Sequence, residues 1–164
     1  RWYIVADQSS NRIVQFRRNG SDVSYVDNSG TYQGTATSAN WSDLAEKYLA
    51  DRGYEHGDLL AIGGDNEVTL YQKGMAIAGV ISTLPGVRMN VNEDNKEDPL
   101  WPFIALKGRI PCKVNGTVKK GDYIVADNDG KCKAVPIERA SEIHFLYYVG
   151  VALEDGEGVV EVKV

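Results

Sequence analysis

One pattern occurs twice in the sequence, and this duplication limits the fold more than any other feature. The segment "EHGDLLAIGGDNEVTL", which begins at Glu55, is similar to "KKGDYIVADNDGKCKAV", which begins at Lys119. In each copy a Gly-Asp pair precedes a strand-like run, a tight turn rich in Gly, Asp and Asn, and a second strand-like run. A third run follows each pair, "IAGVIS" (77–82) and "YVGVAL" (148–153). Two such units of short strands predict a β-barrel or sandwich over residues 54–164.

The first 34 residues form a separate strand-rich region. "WYIVA" and "RIVQFRR" are rich in β-branched and aromatic residues, and Asn19-Gly20 separates "RIVQF" from "VSYV". Asn-Gly between two such runs is the strongest short-range signal for a β-hairpin. An isolated hairpin is marginally stable in water, so we expect residues 1–34 to need a partner.

Residues 35–53 are predicted to be a connector followed by one short helix. The segment 35–40 contains no large aliphatic residue and has the composition of a linker. From 41 to 52 the apolar residues follow helical spacing and would form one face, made of Trp41, Leu44, Ala45 and Tyr48. Asp43 and Glu46 have the spacing of a capping box, and Gly53 would end the helix. The predicted fold is therefore mainly β, with a hairpin, one helix and a duplicated β domain.

Charge and hydropathy exclude two classes of partner. The net charge is −5 and the pI is about 5.1, which argues against a surface for nucleic acid. No stretch of about 18 apolar residues is present, so we predict no membrane insertion. The sequence begins at Arg1 in what reads as the middle of a strand, and we expect it to be a fragment of a longer protein from which a targeting segment could have been lost.

The residues that commonly bind metals do not form a recognisable site. Cys112 and Cys132 are interpreted as free buried thiols, with facing positions on neighbouring strands as the alternative. The only histidines are His56 and His144, too few near the cysteines for a zinc site. The acidic segment 92–98 lacks the spacing of a calcium loop. We therefore predict no metal and no cofactor.

No conventional catalytic set stands out, and the surroundings of His56 have a structural explanation. His56 lies beside Glu55 and Asp58, but the same Gly-Asp turn recurs at 121–122 without a histidine. The segment 82–102 is long for a loop inside a compact domain, and such loops are often functional. Within and beside it, we take Arg88, Asn90 and Trp101 as candidates for contact with a receptor.

Two parts of the sequence resemble proteins of tailed bacteriophages. "NRIVQFRRNGSDVSYVDNSGTYQGTATS" resembles the strand pattern at the distal end of tail fibres, where "NxIVxFxRNG" hairpins from three chains wrap together. From Ser38 onward, "SDLAEKYLAD", "GVISTLP" and "ALKGRIPCKV…VKKGD" resemble the C-terminal domain of tail-fibre and related structural proteins. The resemblance covers nearly the whole chain.

The resemblance implies a non-enzymatic distal fibre domain. A homotrimer would form from residues 1–34, and the β domain would cap the shaft and help to register the three chains. Trp41, Leu44 and Tyr48 would dock the helix on the shaft. The partners would be a host cell-surface saccharide or protein and other tail proteins, in a virion assembled in the host cytoplasm.

A more distant resemblance leads to a different function. The self-cleaving intramolecular chaperone domain of some phage tailspikes begins with Asp-Tyr-Ala-Glu, and this sequence has Asp43-Leu44-Ala45-Glu46 in its place. By that resemblance Ser42 would be the nucleophile, Asp43 or Glu46 would manage protons, and Ser38 and Asn40 are further candidates. The replacement of Tyr by Leu44 counts against this function. A third alternative is a cement domain that binds other virion proteins.

Overall fold

The chain folds into two compact units, residues 1–39 and 40–164. The computed structural model describes residues 2–7, 12–34 and 43–164, and the two units are treated separately below. The described residues are mainly β-strand, as predicted.

The first unit is a four-stranded antiparallel sheet in which the strands follow one another in chain order. Its strands are β1 (Trp2–Asp7), β2 (Arg12–Arg18), β3 (Ser21–Asp27) and β4 (Tyr32–Gln33). The turn between β2 and β3 holds Asn19 at φ 51° and Gly20 at φ 82°. Two consecutive positive φ angles are the requirement of a type I′ turn, which Asn-Gly meets at low cost. The predicted hairpin is confirmed.

The turn that follows β3 is held by one carboxylate. Asp27 Oδ1 accepts hydrogen bonds from the backbone amides of Ser29 and Thr31, both at 2.9 Å. The hydrogen bond from the Ser29 hydroxyl is the main reason that the pKa of Asp27 lies below its ordinary value. A short Asx turn of this kind reverses the chain into β4.

The second unit contains a closed five-stranded barrel with additional strands. Its ten strands are β5 (Asp43–Lys47), β6 (Leu59–Ile62), β7 (Val68–Leu70), β8 (Ala76–Val80), β9 (Val87–Met89), β10 (Phe103–Val118), β11 (Tyr123–Ala126), β12 (Cys132–Val135), β13 (Tyr148–Ala152) and β14 (Gly156–Lys163). The ring runs β12-β11-β13-β14-β10 and closes through a parallel pairing of β10 with β12. Beyond β10 the sheet continues into β5 and β9, while β7, β6 and β8 form a separate small sheet.

The strand pairing repeats in the way that the sequence duplication predicts. β6 pairs with β7 and β8, and β11 pairs with β12 and β13, all antiparallel. Gly79 lies opposite Leu60 in the first copy, and Gly150 lies opposite Ile124 in the second. A Cβ at Gly79 would lie 2.6 Å from Ile104 Cγ2, and one at Gly150 would collide with the Lys163 carbonyl. Each glycine therefore leaves room for a closely packed neighbour.

The second copy of the duplicated unit is longer than the first, because it has an insertion between β12 and β13. It contains two short 3₁₀ helices, Ile137–Glu142 and Phe145–Tyr147. This insertion has no equivalent between β7 and β8, and it forms one wall of a cavity described below.

The helix predicted over 41–52 is wrong. Residues 43–47 form β5, which lies between two strands, antiparallel to β10 and parallel to β9. Burial alternates along it, with Asp43, Ala45 and Lys47 buried and Leu44 and Glu46 half-buried. Hydrogen bonds to strands on both sides override a local helical pattern, because tertiary context outweighs intrinsic propensity. The capping-box interpretation of Asp43 and Glu46 fails with the helix.

The barrel interior is apolar and contains both cysteines. Cys112 on β10 and Cys132 on β12 are fully buried, and their Sγ atoms lie 3.3 Å apart. The hydrogen bond with Cys112, together with burial, raises the pKa of the Cys132 thiol well above its ordinary value. Both cysteines are free thiols, as predicted, and they also face each other from neighbouring strands. Within the described ranges, no helix has the length and hydropathy needed to cross a membrane.

Candidate functional site

The residues considered for self-cleavage are only partly described. Ser38, Asn40 and Ser42 lie outside the described residues. Asp43 and Glu46 lie on β5, three positions apart, so their side chains leave opposite faces of the strand. The Glu46 carboxylate accepts a hydrogen bond of 2.9 Å from the Tyr48 hydroxyl. Two carboxylates on opposite faces do not form a catalytic pair in this arrangement.

Two of the three residues considered for docking are described. Trp41 lies outside the described residues. Leu44 is half-buried on β5, and Tyr48 packs against a small buried cluster of the second unit that includes Leu60 and Ile104. Tyr48 is thus a packing residue of its own unit.

A buried lysine fixes the long loop between β9 and β10. Lys47 is 3% exposed, and its ammonium donates hydrogen bonds to the carbonyl oxygens of Asn95 and Lys96. Burial lowers the pKa of Lys47, and the charges of Glu97 and Asp98 offset part of this shift. Glu97 and Asp98 therefore partly compensate the buried positive charge of Lys47.

Asparagine side chains complete the loop. Asn95 is buried, donates from Nδ2 to the Asn90 carbonyl at 2.9 Å and accepts from the Asn92 amide at 2.9 Å. Asn90 has φ 55° and donates from Nδ2 to the Lys47 carbonyl at 2.8 Å. The side chain of Asn90 thus has a structural role in holding the loop to β5.

The other two receptor candidates differ in exposure. Arg88 is exposed, and its guanidinium lies 5.5 Å from the centre of the Phe103 ring. Trp101 is half-buried. Arg88 is therefore the member of this set with the most accessible side chain.

His56 is a turn residue, in agreement with its structural interpretation. Its Nδ1 lies 2.9 Å from the Ser82 carbonyl oxygen. The neighbouring carboxylates form ion pairs with Lys113, whose Nζ lies 2.8 Å from Asp58 and 2.5 Å from Glu55. Burial pushes the pKa of Lys113 down, but the hydrogen bonds and charges of both carboxylates raise it overall. Among the described residues, no group of three or more His, Cys, Asp and Glu could hold a metal ion.

The first unit exposes large apolar side chains on a small sheet. Among its described side chains, those 39–57% exposed are Ile13, Phe16, Val23 and Tyr32. The described side chain that is buried in this unit is polar, Gln15 at 3% exposed, and no apolar side chain described between 12 and 34 is buried. A folded sheet with its apolar residues in solvent is typical of an interaction surface. We call Ile13, Phe16, Val23 and Tyr32 the apolar surface of the first unit.

A cavity of about 370 Å³ lies beside the barrel in the second unit. This volume is within the range of small-molecule sites. β11, β12 and the insertion form its walls, and two residues that follow β7 complete it. The lining residues are Tyr71, Lys73, Val125, Ala126, Asp127, Lys133, Val135, Arg139, Glu142, Ile143, His144 and Tyr147.

Two ion pairs use most of the charge in this cavity. Lys133 lies 3.0 Å from Asp127, and Arg139 makes hydrogen bonds of 2.5 and 2.8 Å to Glu142. A hydrogen bond from Asn115, followed by that from Lys133, holds the pKa of Asp127 below its ordinary value. The hydrogen bond from Arg139 does the same for Glu142. The Asp127 and Glu142 carboxylates are therefore charged at neutral pH.

Tyr71 is a buried polar residue of the cavity lining. It is fully buried, and its hydroxyl has no hydrogen-bond partner in the part of the chain described. Burial raises its pKa, and the nearby Gly74 amide offsets part of that shift. An unsatisfied buried hydroxyl costs about 1–3 kcal/mol. The hydroxyl is closed off from solvent, so this cost lies inside the fold.

Aromatic rings of the insertion form one side of the cavity. The His144 ring stacks on Phe145 with centroids 5.0 Å apart, and it lies 5.7 Å from the Tyr147 ring. His144 Nδ1 accepts from the Leu146 amide at 3.4 Å. Sequence analysis did not select any of the cavity residues. The greater length of the second copy was the signal that could have indicated them.

Two solved structures have a similar fold. One is the pre-mature form of bacteriophage phi29 gene product 12, with a TM-score of 0.62 and 19% identity, where the match covers 87% of this chain and 24% of that chain. The other is the C-terminal fragment of bacteriophage phi29 gene product 12, with a TM-score of 0.52 and 19% identity, where 74% of this chain and 99% of the fragment are covered. The chain therefore spans about a quarter of the longer phage protein. No protein-family model matches the sequence, and no curated protein matches it.

Proposed function

We propose that this chain is the distal part of a bacteriophage virion appendage, a tail fibre, and that it acts as a homotrimer. Residues 1–34 would end the fibre shaft, and the second unit would cap it, help to register the three chains and contact the host surface. The apolar surface of the first unit is the observation that carries this proposal. The fold shared with a bacteriophage protein supports it.

Copies of the same chain are the expected cover for the apolar surface. Exposed apolar side chains gain roughly 25 cal/mol per Å² when buried, and a sheet whose described apolar side chains are all exposed or half-buried depends on that gain. Identical chains around a closed symmetry axis can supply it to one another. The resemblance of the hairpin to those at the distal end of trimeric fibres supports three as the number of chains.

Trimer formation can be tested with one matched pair of variants. Val23 in the first unit is 51% exposed and Val159 in the second is 53% exposed. We expect light scattering to give a trimer mass for the wild type and for Val159→Asp, and a monomer mass for Val23→Asp. A monomeric wild type, or equal effects of the two substitutions, would contradict the proposal.

Binding to the host surface distinguishes a tail-fibre domain from a cement domain. The protein should bind whole host cells or their purified surface polysaccharide, with Arg88 and Trp101 as contact candidates beside the structural Asn90. A protein that enters virions but does not bind the host surface would instead be a cement domain that binds other virion proteins.

A self-cleaving chaperone is the second candidate function. The similar phage protein is described as pre-mature, which supports a maturation step as a candidate for this chain. The Ser42 hydroxyl would attack the carbonyl carbon of residue 41 and pass its proton to Asp43 or Glu46. That proton would go to the Ser42 nitrogen as the peptide C–N bond breaks, and water would then hydrolyse the resulting ester. Mass spectrometry after expression should then find two fragments with a break between 38 and 46, and Ser42→Ala should abolish the break. One intact mass for the wild type would exclude this function.

A further inference from the structure

The cavity beside the insertion has one cation that no carboxylate neutralises. Its lining carries three basic side chains, Lys73, Lys133 and Arg139, and two acidic ones, Asp127 and Glu142. Lys133 and Arg139 each have a carboxylate partner. Lys73 has no ion pair within the described residues, although its charge contributes to the low pKa of Asp127. The cavity is therefore positively charged in a chain whose net charge is −5.

Lys73 is held in place at this cavity by the second copy of the duplication. Its backbone amide donates to Asn128 Oδ1 at 3.2 Å, in the turn between β11 and β12. Its side chain is exposed. The cation is thus positioned by a fixed backbone and remains accessible from solvent.

The other residues that line the cavity restrict which ligand can fit it. The rings of His144 and Tyr147 offer an apolar face to a flat or saddle-shaped partner. Asp127 and Glu142 offer acceptors. A pyranose has an apolar C–H face and several hydroxyl groups that donate and accept. A single carboxylate on that sugar would match the single unpaired cation.

We propose that this cavity binds an acidic saccharide, with its carboxylate at Lys73 and its ring against His144 and Tyr147. The inference rests on the proposed function, because it names the chemical class of host-surface ligand that the fibre would recognise. One negative charge fits better than two, because Lys133 and Arg139 are already paired.

Binding to simple sugars tests the proposal on the full chain. Titration calorimetry and saturation-transfer NMR should detect saturable binding of glucuronate, and weaker binding of neutral glucose. Glucose 6-phosphate tests whether a phosphoryl group is the true ligand. No saturable binding of glucuronate at millimolar concentration would overturn the proposal, and so would equal binding of glucose or tighter binding of glucose 6-phosphate.

Three variants locate the site. Lys73→Met should weaken glucuronate binding roughly tenfold, since a charge-assisted contact is lost. Lys107→Met, at an exposed lysine of β10 outside the cavity, should leave it unchanged. Tyr71→Phe should leave glucuronate binding unchanged, because the Tyr71 hydroxyl is closed off from solvent and from the ligand. A Lys73→Met protein that binds like wild type would overturn the proposal.

The same variants separate this site from the wider function. If Lys73→Met loses glucuronate binding but host-cell binding persists unchanged, the cavity is not the receptor site and the inference is wrong, while the attachment role stands. If glucuronate binds through Lys73 but the protein does not bind host cells, the cavity assignment is supported and the attachment role is excluded.

Discussion

Cys112 and Cys132 face each other inside the barrel, and this position determines their chemistry. A thiol reacts as its thiolate, and burial with a thiol partner holds the pKa of Cys132 well above its ordinary value. Both side chains are fully buried. We expect a thiol reagent to modify neither cysteine in the native protein at neutral pH and both after denaturation. Rapid native modification would contradict the burial described here.

The same pKa shift gives a dependence of stability on pH. The folded state favours the protonated thiol, so this stabilisation is complete below the unfolded thiol pKa of about 8.5 and is lost as the pH rises through the higher folded value. The thermal midpoint should therefore fall from neutral to alkaline pH, and it should fall less in Cys132→Ala. Equal slopes for the two proteins would show that the thiol does not contribute.

Alanine substitutions at two glycines distinguish a steric clash in the folded state from a loss of backbone freedom in the unfolded state. A Cβ at Gly150 would collide with the Lys163 carbonyl, whereas one at Gly53 would meet nothing within 4 Å. Gly150→Ala should destabilise the protein by about 1–3 kcal/mol. Gly53→Ala should be neutral or stabilise it by up to about 1 kcal/mol, because the unfolded chain loses freedom. Chemical denaturation of both variants measures the difference.

At the scale of elements, the strand conformation of β5 can be tested by introducing a charged residue at each of two neighbouring positions. A helix would bury Leu44 and Ala45 together, but the strand buries Ala45 fully and Leu44 only partly. Ala45→Glu should cost more than about 3 kcal/mol, because an unpaired charge would be buried. Leu44→Glu should cost about 1–2 kcal/mol. Equal losses of stability would favour the helical arrangement.

The elements also show which parts of this fold a sequence can predict. The Asn19-Gly20 hairpin and the duplicated units were predictable, because turn chemistry and a repeated pattern are local signals. The strand β5 was not, because Leu44, Ala45 and Tyr48 fit helical spacing and only the flanking strands β9 and β10 decide otherwise. The cavity also depends on residues distant in sequence, and a longer second copy does not by itself indicate which side chains meet.

At the scale of the whole molecule, the two units should respond differently to concentration. The second unit has its own apolar core, whereas no apolar side chain described in the first unit is buried. Assembly stabilises folded chains by mass action. Calorimetry should therefore show one transition that moves to higher temperature with protein concentration and one that does not. Val23→Asp should remove the concentration dependence, and a single transition independent of concentration would contradict it.

The closing strand of the barrel has a consequence for the order of events during synthesis. β14 pairs with β10 along Arg109–Val118 and with β13, so it completes the wall between them. The ring cannot close until residues 156–163 have left the ribosome. Each chain would therefore carry an open barrel while it is being made. If three chains assemble through the first unit, as proposed, they can meet before any of their barrels has formed, and β14 would then set the time at which each barrel becomes rigid.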